Sequence, residues 1–228
     1  MITTLTENEL RDYTSRQLNN FYPDNQSVNL NQYSDAVDLA LQRLEHCFKH
    51  CTLKHYNDGT QTRFNHLFSD HYVMYLWYLA NSMWQLHQDK SICNKLYYLN
   101  KSLHGLDCMY DTKMPDIFLI FHGVGTMLGK AEYKDFFVVL QGCTVGSHKG
   151  KYPIMGKGVS LTANSSILGD CKIGNRVNIG SGTILFQKEI PNDTSVAADA
   201  ETGTLKFRES KSSYAQQFFN VDLSQIEA

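Results

Sequence analysis

Proton transfer at neutral pH needs a side chain that titrates nearby, and His122 is the best-placed candidate in this chain. It follows an apolar run ending in Ile120 and precedes Gly123 and Gly125, where missing side chains let backbone crowd a ligand. An imidazole there could act as general base toward an alcohol, which is scarcely ionised at neutral pH. On pattern alone two readings stand: a catalytic histidine, or a hydrogen-bonded coil residue, with Asp107 a turn residue where helices end. Cys143 is the one thiol close by, and nothing in sequence sets a base beside it, so a covalent acyl-enzyme is disfavoured. His46, Cys47, His50 and Cys51 form a second cluster in which 46/50 and 47/51 share helical faces, and zinc could use one pair plus outside ligands. Cys51, however, falls on an apolar stripe with Cys47 beside it. Buried thiols next to exposed histidines are the better account, and no metal is expected.

These residues need a scaffold, and the sequence announces one. Met155, Leu161, Ile167, Ile173, Ile179 and Leu185 recur every sixth residue, with Gly156, Gly174 and Gly180 following three of them. A helix wants apolar steps of three and four and a half-buried strand wants two, so a sustained six predicts a parallel β-helix with three short faces per turn. Val139 and Val145 keep the step upstream of an interruption, Gly146 to Pro153, which reads as an extruded loop. Beyond Pro191 the period fades.

The first half is helical in character. Thr6 with Glu9 is a capping-box signature, followed by Leu10, Tyr13, Leu18 and Phe21 on one side. Val37, Leu41, Leu44, Phe48 and Cys51 form a single stripe, Asn57-Asp58-Gly59 breaks the pattern, and a third helical stretch runs from about Phe64 to His87. The expected class is α+β: a helical N-terminal domain over 1–105, a β-helix over 106–205, and a tail over 206–228 whose Tyr214, Phe218 and Phe219 pack as a short helix or stay mobile.

Composition excludes several functions. A net charge of −2 over 228 residues, without a basic run, argues against nucleic acid. The most apolar window, Tyr72 to Leu86, is broken by Asn81, Ser82 and Gln85 and reads as a buried helix, so no membrane span is expected. The first ten residues lack a secretory pattern, and six scattered cysteines suit reduced, buried thiols; both point to the cytoplasm.

Three stretches together, Phe121-His122-Gly123-Val124-Gly125, Val139 through Gly146, and Tyr152-Pro153-Ile154-Met155 with the hexads after it, resemble the serine acetyltransferase branch of the hexapeptide acyltransferases over about Leu106 to Thr194. They also resemble relatives of that branch associated with surface-polysaccharide biosynthesis. The resemblance implies a left-handed β-helix, a homotrimer that could pair into a dimer of trimers, acetyl-CoA as donor, and O-acetyl transfer by direct attack. It assigns His122 as base and Asp107, fifteen residues upstream, as the carboxylate that holds its tautomer. It places Ala163 and Ser181, two residues after Leu161 and Ile179, against coenzyme A, with Gly146 and Ser147 as the glycine-pair position at the loop. Taken structurally, those four are also what a tight coil corner requires.

Acceptor recognition departs from the family. An acidic residue is expected before the histidine, and Phe121 stands there; an Arg-His pair before the proline is replaced by Lys151-Tyr152. Lysine attracts a carboxylate without arginine's bidentate fork, and a phenol can stack on a sugar ring. These changes at Phe121, Lys151 and Tyr152 favour a carbohydrate hydroxyl, although Asp58, Asp70 or another subunit could supply the missing charge. The alternatives are serine O-acetylation in cysteine biosynthesis and a trimeric scaffold without catalysis.

Overall fold

The computed structural model describes residues 1–226, so the last two residues of the expected 206–228 tail lie outside it. Four helices come first. α1 (Glu7–Phe21) opens with the anticipated capping box, the Glu9 amide donating to Thr6 Oγ1 at 3.3 Å and the Thr6 amide to Glu9 Oε2 at 2.8 Å. α2 (Ser34–Lys49) buries Val37, Leu41, Leu44 and Phe48 on its stripe. α3 (Ser69–His87) begins later than the sequence suggested, because Arg63–Phe64 instead pairs in parallel with Ile2–Thr3. A further helix, α4 (Lys90–His104), was not anticipated. Asp89 caps its start, accepting from the Ile92 amide, and Gly105 ends it in the left-handed region that favours glycine. α3 is buried on nearly every side because α2 and α4 flank it and the coil closes its remaining face.

The second half is the parallel β-helix. One face stacks Phe118–Ile120, Phe137–Val139, Ser160–Leu161, Asn178–Ile179 and Thr194–Ala198; the next stacks Met127–Leu128, Thr144–Gly146, Ser166–Leu168 and Ile184–Phe186; the third stacks Ile154–Met155, Lys172–Ile173 and Glu189–Ile190. Every ladder within these faces is parallel. All six hexad residues point inward and are almost completely buried. The coil also outlasts the visible period: Ile190 and Val196 continue the inner stack, and the chain then reverses as Leu205–Glu209 pairs antiparallel with Thr194–Ala198. The break is the predicted loop, in which His148 and Lys151 pair across a tight reversal at Lys149 and Gly150.

The tail packs rather than dangles. A short 3-10 helix, Tyr214–Phe218, lays Phe218 on Phe121 (ring centroids 4.7 Å) and precedes Phe219, which meets Phe136 at 5.2 Å. Its backbone then joins the end of α2, the Thr52 amide donating to the Phe218 carbonyl and the Asn220 amide to that of His50. Helices, coil and tail therefore share one apolar interior. All six cysteines are buried and unpaired; Cys47 donates to the Phe118 carbonyl at 3.1 Å, stitching α2 to the first strand of the coil. Among the described residues no helix is long and apolar enough to cross a membrane, and no three metal-ligating side chains gather.

Candidate active site

His122 stands where the coil departs from its own period. From Val139 to Val145, Leu161 to Ile167 and Ile179 to Leu185 the chain turns the corner between the first two faces in six residues, but Ile120 to Leu128 takes eight. The two extra residues bulge outward. His122 adopts φ +52°, in the left-handed region that side-chain-bearing residues rarely occupy, and its side chain is 72% exposed. Below it the same corner repeats at Gln141-Gly142, Ala163-Asn164 and Ser181-Gly182, each joined to the turn above by a backbone hydrogen bond of 2.9–3.0 Å. Ala163 and Ser181 thus lie on the coil edge that His122 heads, with the Ser181 hydroxyl donating to Thr162 Oγ1 at 3.1 Å. Gly146 and Ser147 lie elsewhere, at the far end of the second face where the loop leaves. A Cβ on Gly146 would meet the Leu168 side chain, at Cδ2, at 3.2 Å, so the side chains of the neighbouring turn leave little room there.

The carboxylate beside His122 is Asp70, in the first turn of α3. Its Oδ1 accepts from the His122 amide at 3.0 Å, and its Oδ2 lies 3.7 Å from the ring Nδ1. Asp107, the partner implied by resemblance, is engaged elsewhere. Its backbone pairs with Met127 on the second face, and its carboxylate accepts from Tyr97 Oη and Lys101 Nζ of α4, each at 2.7 Å. Burial would raise that carboxyl's pKa, but the lysine and tyrosine outweigh it and hold it below the usual range. No hydrogen bond or ion pair joins Asp107 to His122 among the described residues.

Phe121 also differs from expectation. Its ring is buried between Phe218 and Tyr56, so it anchors the tail instead of facing an acceptor. The amide of Phe121 continues the strand ladder, which turns its side chain away from the exposed corner that His122 occupies. Lys151 and Tyr152 do share a site. With Asp107, Met109, Lys130 and Glu132 they line a groove of about 810 Å³ between the extruded loop and the segment after α4. Lys130 Nζ sits 5.2 Å over the Tyr152 ring, while Lys151 reaches Asp170 at 4.0 Å, an exposed pair of small energetic weight. The structure therefore sorts the sequence candidates into two groups: His122 with Ala163 and Ser181 along an edge, and Asp107 with Lys151 and Tyr152 in the groove.

Next to Asp70, His71 is buried among Phe48, Tyr56, Phe64 and Phe68, and its Nδ1 accepts from the Asn65 amide at 3.1 Å. Burial, with a smaller push from His55, lowers its pKa to about 3. His104, at the end of α4, is lowered to about 4 by burial. In the unfolded chain both titrate near the ordinary 6.5, so below that pH the unfolded state binds protons that the fold excludes. Stability is expected to be level above about pH 6.5 and to fall on acidification toward about pH 4, by roughly 1.4 kcal/mol per pH unit for fully buried His71. Urea unfolding at about pH 7 and about pH 5 measures this. His71→Asn, whose Oδ1 can retain the Asn65 contact, should flatten the slope; equal stability at both pH values in the wild type would contradict it.

No protein-family profile matches the chain. It is 33% identical over 103 residues to a serine acetyltransferase of Staphylococcus epidermidis, covering 43% of this chain and 48% of that protein. The chain thus spans about half the length of the curated relatives it matches. In three dimensions it is similar to the serine acetyltransferase of Brucella abortus, with a TM-score of 0.67 at 18% identity over 91% of this chain and 85% of that one. A serine acetyltransferase solved as a complex with CoA matches with a TM-score of 0.65 at 15% identity, covering 85% and 83% of the two chains. The fold is therefore the one seen in those solved serine acetyltransferases, a helical half followed by a β-helix.

Proposed function

We propose that this chain transfers an acetyl group from acetyl-CoA to a hydroxyl, with His122 as general base. The observation that carries the reading is an exposed imidazole at the head of a coil edge whose next corners present Ala163 and Ser181. A thioester is already activated and an alcohol is not, so the task left to the protein is to remove the acceptor's proton as its oxygen attacks. The proton passes to the imidazole and the C–O bond forms. Collapse of the tetrahedral intermediate breaks the C–S bond, and the imidazolium returns the proton to the departing thiolate. Backbone amides at the edge can serve the oxyanion. Small residues along it let an extended pantetheine arm lie against backbone, and the relative complexed with CoA supports that donor. Gly146 and Ser147, at the loop, would meet the donor's far end. The functional unit in this reading is a homotrimer whose grooves lie between coils, which would let the Lys151-Tyr152 loop of one subunit approach the His122 corner of another.

For the acceptor, L-serine is the better-supported choice. The matched relatives are named serine acetyltransferases, and Phe121, one of the three changes that favoured a sugar, is buried under Phe218 and has no bearing on acceptor charge. A sugar hydroxyl remains the second reading because Tyr152, partly exposed beside Lys130 in the groove, offers a stacking surface. Steady-state loss of the thioester with L-serine, nucleotide sugars and small glycans separates them. Saturable turnover of serine with KM of roughly 1 μM to 1 mM is expected; turnover of a glycan without saturable serine activity would assign the sugar instead.

A further inference from the structure

We propose that Asp70, on the helical half, is the carboxylate that positions His122, in place of Asp107. The inference rests on the acyl-transfer reading above and concerns its base. Asp70 is 5% exposed, and both of its oxygens are turned toward the bulged corner, one on the His122 amide and the other near the ring. Two side chains near it are neutral: burial holds His71 uncharged, and the Tyr56 phenol is raised well above its ordinary pKa chiefly by its own burial. No lysine or arginine forms an ion pair with Asp70 among the described residues, so the imidazolium that forms during transfer is the cation this carboxylate faces. Asp107, by contrast, already has Lys101.

The arrangement does two jobs. The 3.0 Å bond from the His122 amide supports a backbone conformation that costs free energy, fixing where the ring begins. The second oxygen lies 3.7 Å from the ring, beyond hydrogen-bond length, a separation that catalytic contacts often close when substrate binds. An Nδ1–H directed at Asp70 leaves Nε2 without a proton, and Nε2 is then the nitrogen that receives the acceptor's proton. Because Asp70 belongs to α3, the base is set by how the helical half docks on the coil.

Nitrogen-15 NMR of the ring gives a direct test, with the His122 signal assigned by its loss in His122→Ala. In the wild type above neutral pH, His122 should be the Nδ1–H tautomer; in Asp70→Asn it should move toward Nε2–H, and in Asp107→Asn it should not move. Asparagine can still accept from the His122 amide, so the bulge is retained. In turnover assays Asp70→Asn should lower kcat by about 10- to 100-fold with the KM for acetyl-CoA little changed, while Asp107→Asn should cost less kcat than Asp70→Asn, its effect falling on the KM of the acceptor. An Nε2–H tautomer in the wild type, or Asp107→Asn costing more kcat than Asp70→Asn, overturns the assignment. If His122→Ala is itself fully active, the acyl-transfer reading fails, and the tautomer measurement still decides whether Asp70 holds the ring.

Discussion

His122→Ala is expected to lower kcat for acetyl transfer by about 10²- to 10⁴-fold while leaving coenzyme A binding intact. The magnitude follows from the chemistry: an acceptor hydroxyl near neutral pH keeps its proton, and no other imidazole lies on this corner. Selectivity follows from the geometry. With 72% of the side chain exposed, truncation opens no internal cavity, and Asp70, the carboxylate near the ring, keeps its bond to the backbone amide. The fold and the Ala163–Ser181 edge should be undisturbed. Thermal unfolding with and without coenzyme A provides the control, because a ligand that binds only the folded state raises Tm by linkage. The variant should show the wild-type shift with almost no turnover. Full activity would remove His122 from the mechanism, and no shift in the wild type at saturating coenzyme A would favour a scaffold that has kept the coil without the chemistry.

The β-helix was legible because its rule is local and repeated. Each inward aliphatic from Met155 to Leu185 states the same six-residue step, and errors at one position are corrected by the others. The signal weakened where the rule was broken for a reason. Ile190 arrives one residue early, so the inner stack it continues to Val196 was not visible in the period. At the other end, the two-residue bulge between Ile120 and Leu128 hid the first turn of the coil from a six-residue reading, and that irregularity is what exposes His122. α4 was missed although Asp89 and Gly105 mark both ends, because the adjacent Tyr97 and Tyr98 blur its apolar stripe.

The site was harder to read than the scaffold. His122 could be nominated from its neighbours in sequence, but its carboxylate could not. Asp70 is 52 residues away and meets His122 only because the start of α3 docks against a coil corner, a tertiary contact without a local signature. Phe121 shows the same limit from the other side: the sequence gives no sign that Phe218, from the far end of the chain, will cover it. Spacing identifies which residue types recur; it does not say which of two carboxylates packing brings to a ring.

Gly174→Ala should be among the most destabilising single-methyl additions the coil can suffer. At the corner leaving the third face, successive turns approach so closely that a Cβ on Gly174 would lie 2.6 Å from the Asn192 amide nitrogen and 2.8 Å from the Pro191 carbonyl carbon. Gly156 stands in the same relation to Asn175 one turn earlier, with distances of 2.7 and 2.8 Å to backbone atoms. Backbone cannot give way as a flexible side chain can. Strands in a ladder stand about 4.8 Å apart, and widening one corner strains the hydrogen bonds on either side. Those bonds include the Asn175 amide to Asn192 Oδ1 at 2.8 Å and the Gly174 amide to the Ile190 carbonyl at 2.9 Å. Overpacking of about 1–3 kcal/mol plus roughly 1 kcal/mol for each weakened bond gives about 3–5 kcal/mol, or a Tm lower by roughly 10 °C for a chain this long. Gly182→Ala supplies the contrast. That glycine has φ +69° but nothing within 4 Å of its added Cβ, so its cost is conformational, on the order of 1 kcal/mol. Melting curves at one protein concentration, which matters if subunits associate, should rank Gly174→Ala well below Gly182→Ala. The reverse order would mean that turn-to-turn contact at this corner is looser than the stacked backbone requires, and with it the rigidity that lets a single edge present His122, Ala163 and Ser181 in line.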